Sequence, residues 1–155
     1  SSIVLDTFNA FGAQATNMSF GELYSAIQQG VLDGAESDHI DLLVEKFYEV
    51  TKYVSYTEHL YLSVALIFSR KQFDKLPSNV QQLLIKAGKE ATLAQRIAME
   101  NKTKEALYAL KEKGLVFNKV EKDLFKEKAE TVYVKNAENV GGISMINKIT
   151  SSKFD

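Results

Sequence analysis

The chain has 155 residues, 45% of them hydrophobic and 25% charged, with a formal net charge of −1. That is enough apolar material for one folded core. The balance of charge weighs against nucleic acid as a partner, because phosphate binding needs clustered Lys and Arg. With no cysteine, disulfides and thiolate metal sites are excluded, and the redox compartment stays undetermined. The longest apolar run, Val64 to Phe68 (VALIF), is far shorter than the roughly 20 residues that span a bilayer. No basic, apolar, cleavable pattern opens the chain.

In chain order, Ser1 or Ser2 can cap a first helix whose apolar face is Val4, Leu5, Phe8 and Phe11, closed at Gly12. Ala15 to Met18 reads as a weak strand. Ser19 and Glu22 then form an S-x-x-E capping box, and Phe20, Leu23, Tyr24 and Ile27 recur at helical spacing. Gly30 supplies the left-handed residue that ends this helix, and Val31 and Leu32 read as a short strand. Asp33, Gly34, Ala35, Glu36, Ser37, Asp38 and His39 crowd polar groups at that strand's carboxyl end, where open α/β sheets place their ligands. This makes them a site candidate.

Residues 38–53 keep helical spacing through Ile40, Leu43, Val44, Phe47 and Val50, as one helix or a broken one. Tyr53 to Thr57 and Leu60 to Ser69 predict two strands, the second buried on both faces because VALIF lacks alternation. Ser69 and Gln72 repeat the capping-box pattern before a short helix that stops at Leu76-Pro77. Residues 78–113 carry no proline and only Gly88, and they predict one long helix in preference to a hairpin bent at Glu100 to Glu105. Gly114 ends it. Leu115 to Val120 predicts a strand, Leu124, Phe125, Ala129, Val132 and Tyr133 an amphipathic helix, and Ile143 to Ile149 a weak terminal helix after Gly141-Gly142.

Catalytic readings find little support in the residues. Glu36, Asp38, His39 and Asp41 have the side chains of a metal or acid/base cluster but match no established ligand spacing. A solvated loop opening a helix, with Asp38 at its positive end, is the simpler account. Neither His39 nor His59 lies in a nucleophile motif, and no glycine-rich nucleotide loop is present, so no enzyme activity, cofactor or metal is expected. A hydrolase using Asp38 and His39 ranks last. On the residues alone Phe20 reads as a core or staple residue. His59 reads equally as a structural imidazole or a site residue.

The stretch FGELYSAIQQGVLDGAE, residues 20–36, resembles the signature of the DctP-type extracytoplasmic solute-binding proteins of tripartite ATP-independent periplasmic (TRAP) transporters. The resemblance continues through KFYEVTKYVSYTEH (Lys46 to His59) and SRKQFDKLP (Ser69 to Pro77) and covers nearly the whole chain. It implies an α/β fold, specifically the C-terminal portion of a two-lobed periplasmic-binding-protein-like architecture with a long lobe-spanning helix. Residues 1–60 would be a second-lobe segment. Residues 61–102 would hold a crossing strand, a short helix and the first part of the long helix, returning to the first lobe. Residues 103–155 would complete that helix and add a strand and the C-terminal helices, and the first lobe would lie largely upstream, making the chain a fragment.

The function so implied is non-catalytic capture of a small organic acid outside the cytoplasmic membrane and its delivery to membrane permease subunits. By the same resemblance Phe20 packs against the bound acid. Ser37 stands where the family commonly has a carboxylate-holding asparagine, Glu36 contacts ligand hydroxyls or braces the loop, and His59 lies near the site. The family's carboxylate-pairing arginine falls upstream of this chain. An exposed apolar stripe on the long helix predicts self-association. The runner-up is a helical interaction module without a small-molecule ligand.

Overall fold

The computed structural model describes residues 2–152, whose backbone is mostly helical. The α-helices are α1 (Ser2–Phe11), α2 (Leu23–Gln28), α3 (His39–Val44), α4 (Arg70–Phe73), α5 (Ser78–Glu112), α6 (Lys122–Asn136) and α7 (Ile143–Thr150). Two strands, β1 (Tyr53–Tyr56) and β2 (Val116–Lys119), pair with one another. The amide of Val116 donates to the Lys52 carbonyl at 2.9 Å, and Ser55 reaches Asn118 at 3.1 Å. Numbering thus rises together along both strands, the register of a parallel pair whose return runs through α5. The described residues form two compact units: residues 2–25, 55–59 and 117–152, and residues 26–54 and 60–116.

In the first unit α1 packs on α6. The predicted face of α1 supplies the contacts: Phe11 meets Phe125 edge-on at 4.8 Å, and Phe8 meets Phe11 at 5.8 Å. Such edge-to-face pairs add about 0.5–1.5 kcal/mol to what apolar burial provides. Ala129 and Val132 are the buried residues of α6, and Lys135 ties the same helix to Asp6 of α1 at 2.7 Å. Gly12, at φ +98°, ends α1 in the left-handed conformation, and the amide of Ala13 bonds back to the Phe8 carbonyl at 3.0 Å. Ser1, one of the two expected caps, lies outside the described residues, and Ser2 is already helical.

In the second unit the core gathers where α3 meets the C-terminal third of α5. Phe47 is 1% exposed and Leu110 is fully buried, with Leu42, Ala106 and Leu115 close behind. Burying side chains of this size is worth about 1.5–3 kcal/mol each. The break anticipated between residues 38 and 53 falls at Lys46, which is left-handed at φ +57° and turns the chain so that Phe47 enters the core. Lys113, capping α5, lies over the Tyr48 ring at 4.2 Å from its centre.

The long helix is one unbroken element of 35 residues, as the sequence predicts. At 1.5 Å per residue it is roughly 52 Å long. Gly114, at φ +89°, ends it. No helix among the described residues is long and apolar enough to cross a membrane.

Three expected strands are not formed. Ala15 to Met18 is irregular, and the Ala15 amide bonds to the Asn9 side chain at 3.0 Å. Val31 and Leu32 both turn their amides back to the Ala26 carbonyl, at 2.8 and 3.2 Å, so they finish α2 instead of pairing. Residues 60–69 contain no strand, and every one of them is exposed. A strand exists only through its partner's hydrogen bonds, and among the described residues only β1 and β2 provide them to each other. The capping boxes differ too. Neither Ser19 nor Ser69 makes a side-chain cap bond, because their backbone carbonyls accept the amides of Glu22 (3.0 Å) and Gln72 (3.1 Å) in tight turns.

Candidate functional site

The four residues singled out from the sequence divide between the units: Phe20 and His59 fall in the first, Glu36 and Ser37 in the second. Phe20 opens the 3-10 turn Phe20–Glu22 that leads into α2, and the residue is 46% exposed. Its backbone position follows from Ser19, which is extended at ψ 141° and turns the chain into the helix.

Glu36 is exposed and Ser37 half-buried in the irregular segment between α2 and α3. The Ser37 hydroxyl oxygen is buried, with no hydrogen-bond partner among the described residues. A buried polar atom left so costs about 1–3 kcal/mol and calls for an explanation. Immediately after it, Asp38 caps α3, accepting the amides of Ile40 at 2.8 Å and Asp41 at 2.9 Å. That use of the carboxylate accounts for Asp38 as an N-cap. Burial holds the His39 imidazole below its ordinary range, opposed by the nearby Asp38 charge. Burial, then Asp38 and Glu45, raises the Asp41 carboxyl. Among the described residues no group of three or more His, Cys, Asp or Glu is placed to hold a metal ion.

His59 ends a tight turn after β1. The Thr57 amide bonds to the Ser55 carbonyl at 2.9 Å, and Glu58 is left-handed at φ +46°. For a non-glycine residue that conformation costs about 1–2 kcal/mol. The Glu58 carboxylate is ion-paired with Lys122 at the start of α6. The His59 ring is half-buried, with Nδ1 at 2.7 Å from the Thr57 hydroxyl and Phe8 edge-on at 4.9 Å. Thr57 escaped the sequence reading. No sequence signal pointed to it, because the left-handed Glu58 between the two residues sets their approach.

A shallow groove of about 610 Å³ lies between Val64–Leu66 and α5, lined on the helix by Ile85, Gly88, Lys89, Thr92, Leu93 and Arg96. None of the four site residues borders it.

Comparison with known proteins bears on what this arrangement can do. The family model for DctP, described as bacterial extracellular solute-binding protein, family 7, matches residues 1–139. Among curated relatives, the C4-dicarboxylate-binding periplasmic protein DctP of Rhodobacter capsulatus is 37% identical over 147 residues, 91% of this chain and 44% of its own length. A TRAP periplasmic solute-binding protein from Sulfitobacter sp. NAS-14.1, solved with bound β-D-galacturonate, matches with a TM-score of 0.87 at 30% identity, over 98% of this chain and 51% of that one. A TRAP periplasmic solute-binding protein from Polaromonas sp. JS666, bound to D-erythronate, matches with a TM-score of 0.84 at 31% identity, over 100% and 51%. The chain therefore spans about half the length of the relatives it matches.

Proposed function

The chain belongs to the DctP family of bacterial extracellular solute-binding proteins, which are binding proteins and not enzymes, and from that premise we propose that it serves a TRAP transporter outside the cytoplasmic membrane. It captures a small organic acid through its carboxylate and hydroxyl groups and hands it to the membrane permease subunits. The observation that carries this reading is the family match itself, which runs through the stretch containing Phe20, Glu36, Ser37 and His59. Bound β-D-galacturonate and D-erythronate in similar chains support the acid class.

The side chains have chemistry suited to such a ligand. An exposed Phe20 ring offers an apolar face to the carbon skeleton. The buried Ser37 hydroxyl can donate to one carboxylate oxygen or accept from a ligand hydroxyl. Being shorter than asparagine and without its NH₂ group, serine at this position makes fewer such bonds, which points to a solute different from that of the family's asparagine-bearing members. Glu36 can accept from hydroxyls, and His59 can donate through a ring nitrogen.

The test is a titration of the ¹⁵N-labelled chain, carried to millimolar solute because the carboxylate-pairing arginine that the resemblance implies lies upstream of it, with D-galacturonate and D-erythronate, each against its uncharged counterpart, D-galactose or erythritol. Saturable amide shifts concentrated at residues 20, 36, 37 and 59 for the acids, and their absence for the neutral sugars, are the expected result. Equal responses to acid and neutral compound, or shifts confined to the groove beside α5, would contradict the proposal.

A further inference from the structure

We infer that residues 60–68 are an interior β-strand standing without its neighbours, and that both its edges are docking sites for strands from the companion part of the two-lobed protein that the resemblance implies. The inference rests on this segment and on the length of the relatives, not on the identity of the solute.

The backbone and the side chains of the segment point the same way independently. Among the described residues, no amide or carbonyl of residues 60–68 takes part in a backbone hydrogen bond. Tyr61, Leu62, Val64, Leu66, Ile67 and Phe68 are at the same time 60–88% exposed. Sheet edges that stay in water are protected by charge, proline or bulges. The run LYLSVALIFS, residues 60–69, holds no charged residue, no proline and no glycine. Apolar residues at both odd and even positions are the pattern of a strand covered on two faces, which only an interior strand has.

One face has the beginning of its cover. Val64 to Leu66 lie along α5, where a Cβ added at Gly88 would stand 3.6 Å from Leu66 Cδ2, and the groove between them is shallow. Both edges remain open. A second copy related by a two-fold axis would pair one edge with its own equivalent and leave the other bare, whereas an interior strand needs a neighbour on each side. The solved Sulfitobacter chain matches 98% of this chain at a TM-score of 0.87 with only 51% of its own length. A polypeptide of that length has as much chain again from which to supply both neighbours by strand addition.

Backbone hydrogen exchange tests the inference, with the two-lobed protein measured beside this chain and both diluted until light scattering shows monomers. Amides 61–68 should exchange at nearly the rate of an unstructured peptide in the chain and orders of magnitude more slowly in the two-lobed protein, where ladder bonds protect them. Ile67→Glu should move the melting temperature of the chain by about 2 °C or less, as a surface substitution does. In the two-lobed protein it should lower the melting temperature by clearly more, because a charge enters a covered face. Wild-type exchange decides the matter even where that variant does not fold. Equally fast exchange in the two-lobed protein overturns the proposal, as does slow exchange already present in the monomeric chain. Protection that appears in the two-lobed protein only on concentration into a dimer also overturns it, since a second copy would then be the occupant.

Discussion

The two ends of α5 belong to one uninterrupted helix yet live in different surroundings. At the C-terminal end Ala106 and Leu110 are 2% and 0% exposed, packed in the core shared with α3 and Phe47. Toward the N-terminal end Leu83, Leu93 and Ile97 are each 62–63% exposed, and the neighbouring segment carries Val64 and Ile67 at 86% and 85%. Helical hydrogen bonds are the same along the whole length, so tertiary packing distinguishes the two ends. A helix this long is held by propensity over much of its course and by burial only near its end. Isolated apolar side chains on a surface are ordinary, but a contiguous stretch of them is a surface prepared for contact.

That contrast can be broken by paired substitutions. Leu110→Ala should cost about 2–5 kcal/mol in urea unfolding, since it opens a cavity where the side chain has no exposure to solvent. Ile97→Lys should change stability by about 0.5 kcal/mol or less, as surface substitutions do, while reducing self-association of the concentrated chain measured by light scattering. Equal stability losses at the two positions would mean that the exposed end is covered in solution. A wild-type chain that stays monomeric at high concentration would remove the self-association expected from the apolar stripe.

A smaller effect sharpens the same comparison through pH. Burial lowers the His39 pKa in the folded chain, so the unfolded chain binds more protons as pH falls through the ordinary histidine value of about 6.5. Stability should therefore decline with falling pH in that window and level off below the lowered folded value. Urea midpoints at about pH 7.5 and 5.5 should differ less in His39→Gln than in the wild type. A difference that survives the substitution would assign the pH dependence to other groups.

Much of the helical framework was legible because its signals are local. The periodicity of residues 78–113 and the glycines at 12, 30 and 114 marked elements and exits that the structure forms. Strands were harder, since VALIF reports apolarity but says nothing of whether a partner strand lies beside it. The capping boxes failed on a detail no sequence pattern states: whether the serine offers its hydroxyl or its backbone carbonyl to the waiting amide. At the candidate site, Phe20, Glu36, Ser37 and His59 were singled out through family resemblance. Thr57 became visible only when the turn at Glu58 brought its hydroxyl to the His59 ring.

The central claim is that an organic acid is captured with Phe20 turned to the solute, and Phe20→Ala tests it most directly when affinity for D-galacturonate and melting temperature are measured on the same samples of the two-lobed protein that the resemblance implies. The account predicts a binding loss on the order of 1–3 kcal/mol from the missing aromatic contact, with the melting temperature nearly unchanged because Phe20 is 46% exposed. A variant that melts far earlier yet binds as the wild type does would place Phe20 in the core and contradict the site.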